Sequence, residues 1–186
     1  MSLQVELQDL YNGFTKKVPP EVLNLMLDTT RRLVDSGIAE KSLKVGEKAP
    51  DFNLPNPSGE SVNLHSLLEK GPVVLNFYRG GWCPYCNLEL NAYQKHLGEI
   101  DNLGASLVAI YPETPDKSLS TSEKNDLKFP VLSDQGNQTA NKFGLVFELP
   151  SELHELYLKF GINIPKSNGD DSWEIPMPGT YVIDKD

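Results

Sequence analysis

Cys83 and Cys86 are the only cysteines in the chain, and two residues separate them. Thiols at this spacing suit one chemistry above others: one attacks as a thiolate and its neighbour closes a disulfide onto it. The run before them, Val73-Val74-Leu75-Asn76-Phe77-Tyr78, is apolar and β-branched and reads as a buried strand. Gly80-Gly81 breaks that strand, and Pro84 suits the first turn of a helix. Cys83 thus falls at a helix start, where unpaired backbone N–H groups and the positive end of the helix dipole favour thiolate over thiol. Such a setting lowers a cysteine pKa from ~8.5 into the ~3.5–7.5 range. The pair reads as a redox centre.

Other uses of two cysteines fit less well. A structural zinc site needs four ligands, and His65, His96 and His154 have no ligand spacing to one another. A structural disulfide across two residues would constrain the unfolded chain little. Burial as two small apolar side chains is the remaining structural use.

The 186 residues suit one domain with a short appendage, and 39% hydrophobic with 23% charged residues are globular values. With 26 acidic against 17 basic residues the net charge is −9, which argues against a nucleic-acid or anionic-membrane partner. Solubility accounts for the acidity. The start, Met1-Ser2-Leu3-Gln4-Val5-Glu6, has neither a basic leader nor an apolar core, and no apolar run nears the ~20 residues of a membrane helix. Cysteine use on this scale fits a reducing compartment, so a cytoplasmic location is expected.

The elements that must position the cysteines follow from periodicity. Residues 1–44 form a helical extension: Leu3, Leu7, Leu10, Tyr11 and Phe14 recur at helical spacing, and after Pro19-Pro20 a second helix runs to Gly37. It is expected to cover an apolar surface or to make a homodimer contact, and to carry no chemistry. Residues 45–186 form the second unit. An extended entry over 46–54 and a turn at Asn56-Pro57-Ser58-Gly59 lead into a strand from Ser61 to Leu64 and a helical turn from Ser66 to Lys70. The helix after the cysteines presents Leu90, Tyr93 and Leu97 on one face and closes at Leu103-Gly104. Ala105 to Tyr111 reads as a strand, Thr114-Pro115 to about Asn125 as a helix, Phe129 to Asp134 as a strand, and Asn137 to Phe143 as a helix ended by Gly144. This alternation implies a largely parallel sheet covered by helices, an α/β fold. Residues 145–172 read as an insertion over the rim of the site without chemistry of its own. It holds a helix from Ser151 to Phe160 capped by Ser151 and a polar loop over 168–172. A last strand ends at Asp184, with a turn beginning at Asp186.

Four ordered motifs resemble the peroxiredoxin-like branch of the alkyl hydroperoxide reductase and thiol-specific antioxidant family, within the thioredoxin-fold superfamily. They are Gly46-Glu47-Lys48-Ala49-Pro50-Asp51-Phe52, Phe77-Tyr78-Arg79-Gly80-Gly81-Trp82-Cys83-Pro84-Tyr85-Cys86, Phe129-Pro130-Val131-Leu132-Ser133-Asp134 and Pro178-Gly179-Thr180-Tyr181-Val182-Ile183-Asp184. The resemblance covers the last three-quarters of the chain. It implies a thioredoxin-like fold, a central mixed sheet flanked by helices. In that fold a further strand and helix follow the last strand seen here, so a longer chain or a partner chain is expected to cover the sheet edge.

The resemblance also implies two chemistries on one site. Peroxiredoxins carry Pro-x-x-x-Thr-x-x-Cys around the thiol that meets peroxide. Laid on Cys86, that pattern puts Cys83 at the threonine and Arg79 at the proline. A peroxidase would then use Cys86 to attack the O–O bond and Cys83 to condense with the sulfenic acid. Thioredoxin-like disulfide reductases instead pair Cys-x-x-Cys with a cis-proline, a role that Pro178 would fill. Cys83, as the more exposed thiol, would attack a substrate disulfide and Cys86 would resolve it. Both routes end in an 83–86 disulfide and need an external thiol reductant of the thioredoxin or glutaredoxin type. Arg79 is a candidate for stabilising the thiolate, and Trp82 for shielding the sulfurs. Peroxide reduction is the leading expectation, disulfide reduction the second, and a non-catalytic interaction module the third. No metal or organic cofactor is implied: the chain has no Gly-x-Gly-x-x-Gly, and the two thiols carry the chemistry.

Overall fold

The apolar runs become the middle of a four-stranded sheet. The computed structural model describes residues 2–185 and leaves the side chains of 116–120 aside; Met1 and the turn expected at Asp186 lie outside the described residues. The central strands are β3 (Val73–Phe77) and β4 (Ser106–Tyr111), paired in parallel. β5 (Val131–Ser133) adds parallel to β4, and β8 (Gly179–Ile183) adds antiparallel to β3, giving the order β5-β4-β3-β8. β3 and β4 are buried on both faces, which is why they read as nearly unbroken apolar runs rather than alternating ones.

Alternate residues of these strands feed two cores. Val73, Leu75, Phe77, Val108, Ile110 and Leu132 pack on one face with Leu64, Phe143 and Leu145. Tyr78, Leu107, Ala109, Tyr111 and Val131 pack on the other, against Cys83, Cys86 and Leu90. Cys86 and Leu90 lie on α4 (Pro84–Asn102), which Cys83 precedes as N-cap and Leu103 closes, and Tyr93 and Leu97 complete its inner face as the periodicity requires. A hairpin of β1 (Asn53–Pro55) and β2 (Ser61–Asn63) precedes the short α3 (Leu64–Leu68). α5 (Pro115–Lys124) and α6 (Gln138–Lys142) join the remaining strands.

The N-terminal segment forms α1 (Leu3–Thr15) and α2 (Pro20–Asp35). Glu6 of α1 lies 3.7 Å from Lys95 of α4. Leu25 and Met26 of α2 pack on a third apolar cluster, built from Leu149, Leu153, Tyr157, Ile164 and Ile175. The linker after α2 returns to the core, where the Leu43 N–H donates to the Phe143 carbonyl at 3.0 Å. Gly144 sits at that junction with φ +68°, and a Cβ there would lie 2.0 Å from the backbone oxygen of Lys41. Gly144→Ala must therefore strain its own backbone and push the linker away. We expect a loss of about 2–3 kcal/mol, read as a fall in thermal midpoint of roughly 4–10 °C.

Residues 145–172 are more ordered than their sequence suggests. β6 (Val146–Glu148) pairs antiparallel with β7 (Glu174–Pro176), closing the segment at its base. The helix expected from Ser151 to Phe160 is shorter. Ser151–Leu153 is a 3-10 turn held by the Leu153 N–H on the Pro150 carbonyl at 2.8 Å, and α7 follows as His154–Lys159. Ser151 makes no side-chain cap, because Pro150 sets the entry angle in its place. The expected polar loop begins inside a further helix, α8 (Ile164–Asn168), capped by the Asn163 side chain on the Lys166 N–H. Asn168 is buried, with its amide donating to the Glu174 carbonyl at 3.1 Å.

Candidate active site

The turn between β3 and α4 sets the two sulfurs. Gly80 adopts φ +147°, and a Cβ there would meet Trp82 Nε1 at 2.5 Å, so the position takes glycine. The Cys83 N–H donates back to the Gly80 carbonyl at 3.1 Å. Gly81 is clamped from both sides. Its N–H donates to Glu113 Oε2 at 2.7 Å, and its carbonyl accepts from Asn87 Nδ2 at 3.0 Å. Asn87 Oδ1 in turn accepts from Asn125 beside α5 at 3.2 Å. Cys83 is then the N-cap of α4 and Pro84 its first residue, as the sequence required.

Three donors converge on the Cys83 sulfur. Arg79 Nη2 lies 3.1 Å away, the Cys86 N–H 3.4 Å and the Cys86 Sγ 2.7 Å. The hydrogen bond from the Cys86 thiol, the Arg79 charge and the helix-start N–H together outweigh burial and lower the Cys83 pKa from an ordinary 9.0 to about 6. Cys86 shifts the other way: donating its hydrogen to Cys83, and its own burial, hold it as a thiol. Burial works against the Arg79 charge, but the two sulfurs more than compensate, so the guanidinium stays protonated. The arrangement is a thiolate at Cys83 beside a thiol at Cys86.

Aromatic rings close over the pair. The Arg79 guanidinium lies 5.6 Å above the Trp82 ring, within cation–π range. Trp82 meets Tyr157 of α7 edge to face, with ring centres 5.9 Å apart. Beneath the sulfurs, Tyr78 and Tyr111 stack 4.8 Å apart in the core. Among the described residues no group of three His, Cys, Asp or Glu side chains is placed to hold a metal ion, and no helix is long and apolar enough to cross a membrane.

Of the five residues singled out from sequence, four meet here: Arg79, Trp82, Cys83 and Cys86. Pro178 does not take the part expected of it. It is solvent-exposed just before β8, and no cis peptide bond occurs among the described residues. β8 already pairs with β3 from Gly179 opposite Phe77, so its register is set by the ladder without an isomerised bond. The expectation that Cys83 is the more exposed thiol is also overturned. Cys83 is 0% and Cys86 3% exposed, with Trp82 and Tyr85 packed against their cluster and Arg79 on the Cys83 sulfur. Two site residues escaped the sequence reading. Glu113, which follows Pro112 just after β4, offered only a weak signal as a carboxylate at a strand end; Tyr157 offered none.

Comparison with known proteins agrees with this geometry. A model of the AhpC/TSA family matches residues 45–186. Peroxiredoxin Bcp of Escherichia coli K12 is 32% identical over 103 residues, covering 55% of this chain and 65% of that protein. The thiol-disulfide oxidoreductase ResA of Halalkalibacterium halodurans is 33% identical over 109 residues, 58% of this chain and 61% of that one. The chain thus spans just under two thirds of the length of these relatives. The crystal structure of peroxidoxin BcpB from Mycobacterium tuberculosis superposes with a TM-score of 0.61 at 29% identity, over 76% of this chain and 79% of that one. The fold is thioredoxin-like, a mixed sheet flanked by helices, with the two N-terminal helices added.

Proposed function

Since the chain belongs to the AhpC/TSA family, we propose that it is a thiol-dependent peroxidase in which Cys83 attacks and Cys86 resolves. The observation that carries this reading is the set of three donors on the Cys83 sulfur. The Cys83 thiolate attacks one peroxide oxygen and the O–O bond breaks. The departing alkoxide or hydroxide takes a proton from solvent and leaves as alcohol or water. Cys83 is now a sulfenic acid. The Cys86 sulfur attacks it, a disulfide forms, and water is released. The sulfurs already sit 2.7 Å apart, so ring closure to a bond of about 2.05 Å needs little motion. The two electrons come from the thiol pair, and an external reductant of the thioredoxin or glutaredoxin type restores it.

Reduction of disulfide substrates is the second reading. A low-pKa thiolate at the first position of Cys-x-x-Cys supports it, as does the similarity to ResA. Burial of both sulfurs weighs against a bulky disulfide and favours a small peroxide. The test is to treat the reduced protein with one equivalent of hydrogen peroxide, of an organic hydroperoxide, or of a protein disulfide, and to map the 83–86 disulfide by mass spectrometry. We expect either peroxide to form it far faster than free cysteine is oxidised under the same conditions. Disulfide formation with the protein disulfide alone would transfer the assignment to the second reading.

A further inference from the structure

We propose that Glu113 is a positioning residue for the attacking sulfur: its buried carboxylate holds the Gly80–Gly81 turn and so seats Cys83 between Arg79 and the start of α4. The inference rests on the reading of Cys83 as the attacking thiolate. The donors that meet the Cys83 sulfur lie on opposite sides of that turn, Arg79 before it and Cys86 after it. Their separation follows a short path through two glycines, the residues with the most backbone freedom. A Gly-Gly pair does not hold one path by itself, so the order of this turn must come from outside it.

The segment after β4 supplies that order. Glu113 Oε2 accepts the Gly81 N–H at 2.7 Å, and Glu113 is only 3% exposed. A carboxylate withdrawn from water is costly unless hydrogen bonds hold it, and each bond to it is stronger than one between neutral groups. Glu113 is itself fixed. The Ser133 hydroxyl, at the end of β5, donates to its carbonyl, and the next N–H, that of Thr114, donates to the Ser167 carbonyl of α8 at 3.1 Å. The space around the turn is filled. A Cβ on Gly80 would lie 3.1 Å from the Glu113 carboxyl carbon, and one on Gly81 would lie 2.2 Å from the Thr121 hydroxyl. At the other end of the same residue, Asn87 of α4 holds the Gly81 carbonyl at 3.0 Å. The turn is thus tied to the sheet through Glu113 and to the cysteine helix through Asn87.

Charge and position make opposite predictions for this residue. A carboxylate near a thiolate disfavours it, so by charge alone the loss of Glu113 would lower the Cys83 midpoint or leave it. By position, the loss of the Gly81 bond raises it. The rate of Cys83 alkylation by iodoacetamide would be followed against pH in the parent chain, Glu113→Asp, Glu113→Gln and Glu113→Ala, with thermal unfolding to establish that each folds. Glu113→Asp keeps the charge and draws the acceptor back by about 1.5 Å, out of reach of the Gly81 N–H. Glu113→Gln drops the charge and keeps an acceptor oxygen at the same reach. The groups that feel the Cys83 charge are present in every variant: Arg79 from the end of β3, Tyr85, Cys86 and Glu89 from α4, and Tyr157 from α7. We expect Glu113→Asp and Glu113→Ala to raise the midpoint by about half a pH unit or more, and Glu113→Gln to leave it near the parent's. Should Glu113→Ala not fold, the Asp and Gln variants decide. An unmoved or lowered midpoint in Glu113→Asp, beside a low one in the parent, overturns the inference alone, as does an equal rise in Glu113→Gln. A parent midpoint near that of a free thiol overturns it together with the reading of Cys83.

Discussion

Cys83→Ser is expected to abolish peroxide reduction, while Cys86→Ser keeps the first attack and loses only turnover. A serine hydroxyl is not ionised near neutral pH and cannot become a sulfenic acid, so Cys83→Ser removes the electron donor itself. The Cys86 thiol left behind loses the Cys83 thiolate that chiefly holds it protonated, but it keeps the burial that disfavours its charged form, with Arg79 opposing. Its oxidation should fall to the background of an unactivated thiol, on the order of 10³-fold or more slower. Cys86→Ser keeps Arg79 and the helix-start N–H on Cys83, though it exchanges the thiol donor for a hydroxyl. One equivalent of peroxide should then be consumed and the sulfenic acid should persist, trapped by a dimedone-type reagent on Cys83. Peroxide consumption per protein, with and without excess reductant, separates the two variants. If Cys86 were the attacking thiol, as the family pattern laid on this sequence suggests, the results would be exchanged.

Arg79→Gln has the second largest expected effect, and its signature is a dependence on pH. The thiolate at Cys83 forms as pH rises through about 6. Removing a charge-assisted hydrogen bond at 3.1 Å should move that midpoint up by about one to two units. The Cys86 thiol and the helix start remain, so the midpoint should not return fully to 9.0. At pH 6 the thiolate fraction, about one half in the parent, would fall roughly 5–50-fold, and the rate with it. The deficit should close as pH rises past the new midpoint. A more basic thiolate is also a somewhat better nucleophile, which narrows the gap further. A deficit constant across pH would instead mean that Arg79 binds the peroxide and leaves the thiolate alone. The same linkage governs stability. The Cys83 pKa is lower in the folded chain than in the unfolded, so between pH 6 and about 9 the unfolded state binds more protons and stability rises with pH. Above that range the unfolded chain also ionises Cys86, which the fold keeps as a thiol, and the stabilisation is lost again.

The parts of this site legible in the sequence are those set by local chemistry. Gly80 and Pro84 mark a turn and a helix start through backbone geometry alone, and Cys83 falls at the N-cap as a consequence. The buried strands announce themselves because both their faces are covered. α4 is legible from Leu90, Tyr93 and Leu97 because its partner surface is one continuous sheet face. What stayed hidden depends on contacts between distant segments. Glu113 clamps Gly81 across thirty-two residues, and Tyr157 meets Trp82 from a helix seventy residues on. Neither residue carries a spacing pattern. The burial of Cys83 has the same kind of origin, since Trp82, which packs against its cluster, is in turn met by Tyr157 of α7. Pro178 was read by analogy with a site whose proline is cis, and here the β3–β8 ladder is built without such a bond.

The most direct test of the account is a site-resolved pH profile of alkylation in the unmodified, reduced chain. Iodoacetamide would be applied in brief pulses from pH 4 to pH 10, and the labelled peptide read by mass spectrometry. The account predicts that Cys83 is labelled first, with a midpoint at about 6, and that Cys86 is spared over the same range. Labelling of Cys86 ahead of Cys83, or a Cys83 midpoint near that of a free thiol, would contradict it.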